Sequence, residues 1–176
     1  SGTHMEGFHG AVKSAVQQLC QIAPANNSIN ILPGFISAAD IRHLKKICDD
    51  FETDYTLLPD ISETLDGPAL DDYPLIPKGG TPIDKIRTMG GAMATLELGA
   101  TLPGDTAGSY LEKQHKTPLH QIGLPIGIQQ TDIFFDTLAT VTGKRVPEKH
   151  MHSRGRLIDA MVEGHKYIFV TKAAVE

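Results

Sequence analysis

Short apolar runs alternate with amphipathic stretches along nearly the whole chain, and few folds accommodate that alternation. Ser28-Ile29-Asn30-Ile31-Leu32, Tyr55-Thr56-Leu57-Leu58, Ala94-Thr95-Leu96-Glu97-Leu98 and His120-Gln121-Ile122-Gly123-Leu124 are strand-length segments, most of them bounded by Pro, Gly or Asn. Between them, apolar residues recur at helical spacing. Val12, Val16, Leu19 and Cys20 form the stripe of a helix from about His9 to Ile22, and Ile41, Leu44, Cys48 and Phe51 form a second. Ile133, Phe134, Leu138 and Val141 are expected to point inward from a helix over Gly127–Gly143. Leu157, Ile158, Met161 and Val162 do the same on a last helix beginning near Pro147. Crossovers of this length join parallel strands and are right-handed. The expected fold is a doubly wound α/β domain of about four parallel strands with helices on both faces, Rossmann-like or flavodoxin-like in order.

Local signals refine the element ends. Ser37-Ala38-Ala39-Asp40 reads as a capping box. Thr81-Pro82 predicts a helix with Thr as its N-cap and Pro in the first turn, and Thr106 to His115 predicts another. Gly143 reads as a C-terminal stop. From Pro59 to Gly80 the chain is loop-like, long enough to suggest function or an interface. Ser1-Gly2-Thr3-His4-Met5 reads as a tag remnant outside the fold, residues 6–166 as the domain, and residues 167–176 as the truncated start of a following domain, beginning with a strand at Tyr167.

With 176 residues, 40% of them apolar and 21% charged, the chain can bury a core of ordinary size. Its apolar runs are far too short to span a bilayer and no leader opens it, so the expectation is a cytoplasmic protein without a membrane partner. A net charge of −5 argues against a nucleic-acid surface. The basic residues Lys144, Arg145, Lys149, Arg154 and Arg156 read as a solvated helix entry or subunit contact, and the acidic stretch Asp60–Asp72 as a loop without a calcium-ligand pattern.

Few residues suggest chemistry. Cys20 and Cys48 lack the close spacing of zinc or iron–sulfur ligands and read as small buried hydrophobes. There is no dinucleotide fingerprint, P-loop or nucleophile elbow. Gly79-Gly80-Thr81 suits a turn and cap better than an anion site, and His150 and His152 point apart on a helix. Asp159 and Glu163, four apart on a helix, share one face and could hold a hard cation together; Asp132 and Asp136 have the same spacing. Carboxylate pairs are common on solvated helix faces, so spacing alone argues little. No catalytic residue and no cofactor-binding residue is assigned.

Ordered blocks carry the reading further. Ile31-Leu32-Pro33-Gly34-Phe35, Tyr55 to Asp60, Leu65-Asp66-Gly67-Pro68, Gly79-Gly80-Thr81-Pro82, Ala94 to Gly99 and Gly123 to Gly127 resemble the second domain of nitrogenase component 1 β chains. So does Arg154-Gly155-Arg156-Leu157-Ile158-Asp159-Ala160-Met161 with Gly164-His165-Lys166-Tyr167. The resemblance implies a parent of three such domains, paired with an α chain and a second β chain and served by an iron protein. It implies dinitrogen reduction through a P-cluster (8Fe-7S) and an iron–molybdenum cofactor. The cysteines that hold the P-cluster would lie in the first domain and the cofactor ligands on the α chain, so this stretch by itself would be inactive. It also implies that Asp159 and Glu163 help bind a metal ion where two β chains meet, with Glu163 standing where better-known members have Asp. Two other readings accompany it: a domain of the paralogous scaffold that assembles the iron–molybdenum cofactor, and a stand-alone α/β module that binds a small ligand.

Overall fold

The computed structural model describes residues 3–67, 69, 71–72, 74–75, 79–99, 101–102 and 104–168. Contacts divide the chain into Ser1–Lys144, which holds the sheet, and Arg145–Glu176. In the first unit the strands are β1 (Ile29–Leu32), β2 (Tyr55–Leu57), β3 (Ala94–Leu98) and β4 (Leu119–Ile122), ordered β2-β1-β3-β4 and parallel throughout. Its helices are α1 (His4–Leu19), α2 (Ala38–Asp50), α3 (Ile83–Arg87), α4 (Ala107–His115) and α5 (Gly127–Thr142), with a 3₁₀ turn at Met89–Gly91. The second unit contains α6 (Glu148–Ile168). The chain leaves β1 toward one edge of the sheet and β3 toward the other, so the order reverses between these two neighbours, as in a doubly wound sheet.

Strand alternation assigns the two faces. Leu32 packs with Val16, Ile86, Met89, Ala107 and Leu111 under α1, α3 and α4. Asn30, on the same face, donates through Nδ2 to the Met89 carbonyl (2.9 Å) and Thr95 Oγ1 (3.0 Å), so a fully buried amide ties β1 to the turn and to β3. Leu98 faces the other way, toward Leu44 and Ile47 of α2 and Phe134 of α5. Phe51, at the end of α2, stacks on Phe135 at 6.1 Å. The Lys144 ammonium donates to the Phe51 carbonyl (2.9 Å) and to that of Glu52, placing a cation at the negative end of α2.

Several ends differ from the sequence expectation. The first helix begins at His4, with Thr3 as N-cap: Glu6 N–H donates to Thr3 Oγ1 (3.2 Å) and Thr3 N–H to Glu6 Oε2 (2.5 Å). Thr3 is thus the cap, and His4 and Met5 form the first turn of this helix. The helix stops at Leu19, and Ile22 is exposed. Ser37 does cap α2, but its hydroxyl also donates to the Asp40 carboxylate (2.7 Å), so this is half of a capping box. Thr81 does not cap α3. Its hydroxyl donates to the Leu57 carbonyl and accepts from Asp60 N–H (3.1 Å), tying the long loop to the end of β2. Ile133 is exposed because α5 turns only Phe134 and Leu138 fully inward. The stripe on α6 forms as spaced, but Leu157, Met161 and Val162 are about half exposed; periodicity defines a face without saying what covers it. Tyr167 and Ile168 continue α6 instead of opening a strand, and the rest of that expected strand lies outside the described residues.

Candidate functional site

Asp159 and Glu163 lie one turn apart on the same side of α6, both exposed. Glu163 Oε1 accepts from Lys166 Nζ at 3.0 Å. Hard cations take six or more oxygen ligands, so two carboxylates make at most a partial site. Among the described residues no three His, Cys, Asp or Glu side chains converge as a metal site. His152 Nε2 lies 3.3 Å from the Glu148 carboxylate, one turn before it on α6. Asp132 and Asp136 lie on α5, and no third ligating residue joins them among the described residues.

The remaining candidates resolve into structural contacts. Gly79 and Gly80 both take positive φ (104° and 84°), which a side chain would strain, and lead into the five-residue α3. The acidic loop is pinned to α2: Arg42 grips the Asp66 carboxylate with both terminal nitrogens (2.7 and 2.8 Å), and Lys45 reaches Asp60 (2.9 Å). Burial alone would raise the Asp60 carboxyl, but hydrogen bonds from Ser62 and Lys45 outweigh it and hold it below the ordinary aspartate value.

The thiols do not fit an iron–sulfur cluster. Cys20 packs with the α1/α4 face of the sheet, whereas Cys48 is buried in α2 on the opposite face. Burial pushes the Cys48 thiol up to about 12, so it stays protonated and non-nucleophilic. Burial also raises half-buried Cys20, by less. At pH 8, iodoacetamide is expected to modify Cys20 slowly and Cys48 only once the protein unfolds. Mass spectrometry of labelled peptides checks this, and early modification of Cys48 would contradict its burial.

Sequence reasoning missed Glu97. Four of the five β3 residues are apolar or Thr, and Glu97 is nevertheless only 2% exposed. It accepts from the Thr106 hydroxyl (2.6 Å) and Gly108 N–H (3.4 Å), joining β3 to the N-terminus of α4. Gly108 lets the carboxylate approach closely, since a Cβ there would sit 2.7 Å from Glu97 Oε2. A lone acid inside an apolar strand was the available signal. Burial pushes its carboxyl above the ordinary value of 4.5, and these hydrogen bonds only partly oppose that. A raised folded-state pKa means that its stabilising contribution is complete below 4.5 and is lost as pH rises through the folded value. Glu97→Gln abolishes that titration. The stability of wild type relative to the variant is therefore expected to fall with rising pH over this window and then level off. Parallel denaturation curves for the two proteins at every pH would count against it.

A cavity of about 270 Å³ opens on the α2/α5 face at the carboxyl ends of β3 and β4. Its walls are chiefly Leu44, Ile47, Leu98, Leu124 and Phe134. Asp40 and His43 are exposed, and the Thr131 hydroxyl is committed to the Pro125 carbonyl (3.1 Å). Convergent buried polar groups that would orient a small ligand are absent from its described lining.

The model of the family "Nitrogenase component 1 type Oxidoreductase" matches residues 1–175. The chain is 37% identical to the nitrogenase molybdenum–iron protein β chain of Clostridium pasteurianum over 99% of its own length and 38% of the relative's. Against the corresponding β chain of Nostoc sp. it is 32% identical, covering 99% of this chain and 34% of that one, and against a vanadium–iron protein β chain of Trichormus variabilis 28%, covering 99% and 37%. A solved structure described as nitrogenase Cp1 at pH 6.5 superposes with a TM-score of 0.87 at 35% identity, covering 95% of this chain and 36% of that one. The chain thus spans under two fifths of the length of these relatives, and it belongs to the nitrogenase component 1 type oxidoreductase family, matching one domain of its β chains.

Proposed function

We propose that this chain serves as a structural α/β domain of a nitrogenase component 1 β subunit and carries no redox chemistry by itself. The observation that supports this most strongly is the superposition on nitrogenase Cp1 along 95% of the chain at 35% identity, well above what a shared fold alone requires. In this reading the parent protein is cytoplasmic and assembles with an α chain, a second β chain and an iron protein. It reduces dinitrogen to ammonia, with a P-cluster and a molybdenum–iron or related cofactor held by residues outside this chain. Because Cys20 and Cys48 lie on opposite faces of the sheet, neither cluster is assigned a ligand here. The relatives named above are β chains of nitrogenases, which favours a catalytic subunit over an assembly scaffold.

The test is to purify the gene product that carries this chain under anaerobic conditions. Co-purification with an α-type chain, several irons per chain, and ammonia formation with an iron protein and reductant are the expected results. An iron-bearing complex without that activity would turn the reading toward the scaffold, and an iron-free single protein would end both.

In the same reading, Asp159 and Glu163 supply part of a metal site completed by a second β chain. Calorimetry with calcium or magnesium on the isolated chain is expected to show weak binding, because two carboxylates leave most of the coordination to water. In the assembled protein, Asp159→Asn with Glu163→Gln is expected to remove about one bound ion per site. Unchanged metal content would remove these residues from the site.

A further inference from the structure

In doubly wound sheets the crevice outside the carboxyl ends of the two strands at the order reversal is the usual ligand position, here between β1 and β3. In this chain α1 fills it. Phe8, His9 and Val12 lie against Leu32, Gly34, Leu58, Pro59, Glu97 and Ala107, and the space left between them is only about 10 Å³. That is close to the volume one water needs and far below that of any nucleotide or organic cofactor.

The polar groups around the space are incompletely partnered. His9 is 7% exposed, yet among the described residues its Nε2 has no hydrogen-bond partner. Glu97 Oε2 accepts the short bond from Thr106, whereas Oε1 accepts a long 3.4 Å contact from Gly108 N–H. Leaving a buried nitrogen without a partner is costly, and buried polar groups of this kind are normally met by ordered water. A bridging water also needs two or more polar partners, and the imidazole and the carboxylate supply them.

We propose that His9 and Glu97 bind a single buried water that bridges α1 to β3, so that α1 and this water together close the switch-point crevice to larger ligands. The water takes or gives a hydrogen bond at His9 Nε2 and donates to Glu97 Oε1. Phe8 helps seal the space, meeting the His9 ring edge-on at 5.4 Å and Phe35 likewise at 5.4 Å. This site is independent of the nitrogenase reading and would stand if that reading failed.

A high-resolution crystal structure of the full chain tests it first. The expected result is one solvent peak within hydrogen-bonding distance of both His9 Nε2 and the Glu97 carboxylate. An empty space, or an imidazole turned to bond Glu97 directly, overturns the proposal. In solution, water–protein NOEs to the amides of Ala107 and Gly108 are expected in wild type and lost in His9→Phe, whose ring fills the space. If that variant does not fold, Glu97→Gln replaces it, with the NOE expected to weaken rather than vanish. Absence of the NOE in wild type, or its persistence in a folded His9→Phe protein, contradicts a bound water.

Discussion

Gly91→Ala is expected to lower the unfolding free energy by about 3 kcal/mol, whereas Gly123→Ala, also close to its neighbours, should cost no more than about 0.5 kcal/mol. The difference lies in what each new methyl would meet. At Gly91 an added Cβ falls 2.1 Å from the Pro24 carbonyl oxygen and 2.9 Å from its carbon. Both are backbone atoms of the segment after α1. That segment is held in place by Asn26 N–H donating to the Gly91 carbonyl (2.8 Å) and Gln21 N–H donating to the Arg87 carbonyl (3.0 Å). Relieving the clash means moving the segment and giving up at least one of these bonds, each contributing about 1 kcal/mol. At Gly123 the nearest atom, at 2.3 Å, is Oε1 of Gln130, the tip of a flexible side chain that can swing aside. Chemical denaturation of the two variants makes the comparison, and similar losses at both sites would refute the close approach at Gly91.

Phe134→Ala is expected to cost about 3–4 kcal/mol. The ring is fully buried, faces Leu98 and Leu44 across the α2/α5 side of the sheet, and meets Phe135 edge-on at 5.7 Å. Removing it also merges the new void with the adjacent cavity of about 270 Å³, which leaves little for the surroundings to collapse onto. Ile133→Ala is the matched comparison. The sequence stripe placed both residues inward, but Ile133 is 39% exposed and its truncation should cost about 1 kcal/mol or less. Equal losses would mean that the α5 face is rotated from the one described.

That pair also marks how far the sequence could be read. Strand β3 was legible to the residue, because Ala94-Thr95-Leu96-Glu97-Leu98 is a compact apolar run between a turn and a glycine. The parallel sheet followed from the crossovers. Helix faces were less certain: a stripe shared by Ile133, Phe134, Leu138 and Val141 is wider than the line of contact α5 makes. The Thr81 cap failed because a hydroxyl can serve a helix or a neighbouring strand equally well, and the Leu57 carbonyl claimed it. Thr3 and Glu6 carry the spacing of a capping box, which a hydroxyl and an acid three positions apart make visible only once the helix start is known. For the site, the spacing of Asp159 and Glu163 placed two carboxylates on one helix face without indicating what else reaches them. The environment of Glu97 needs His9, 88 positions away, and Thr106, contacts that no local pattern encodes.

The central claim is that this chain is one domain of a component 1 β subunit, and reading the gene on both sides of it is the most direct measurement. The expected result is an upstream α/β domain with cysteines suited to cluster ligation and a further α/β domain downstream, in one open reading frame. A start codon just upstream of His9 and a stop codon just after Glu176 would contradict it and leave a stand-alone module.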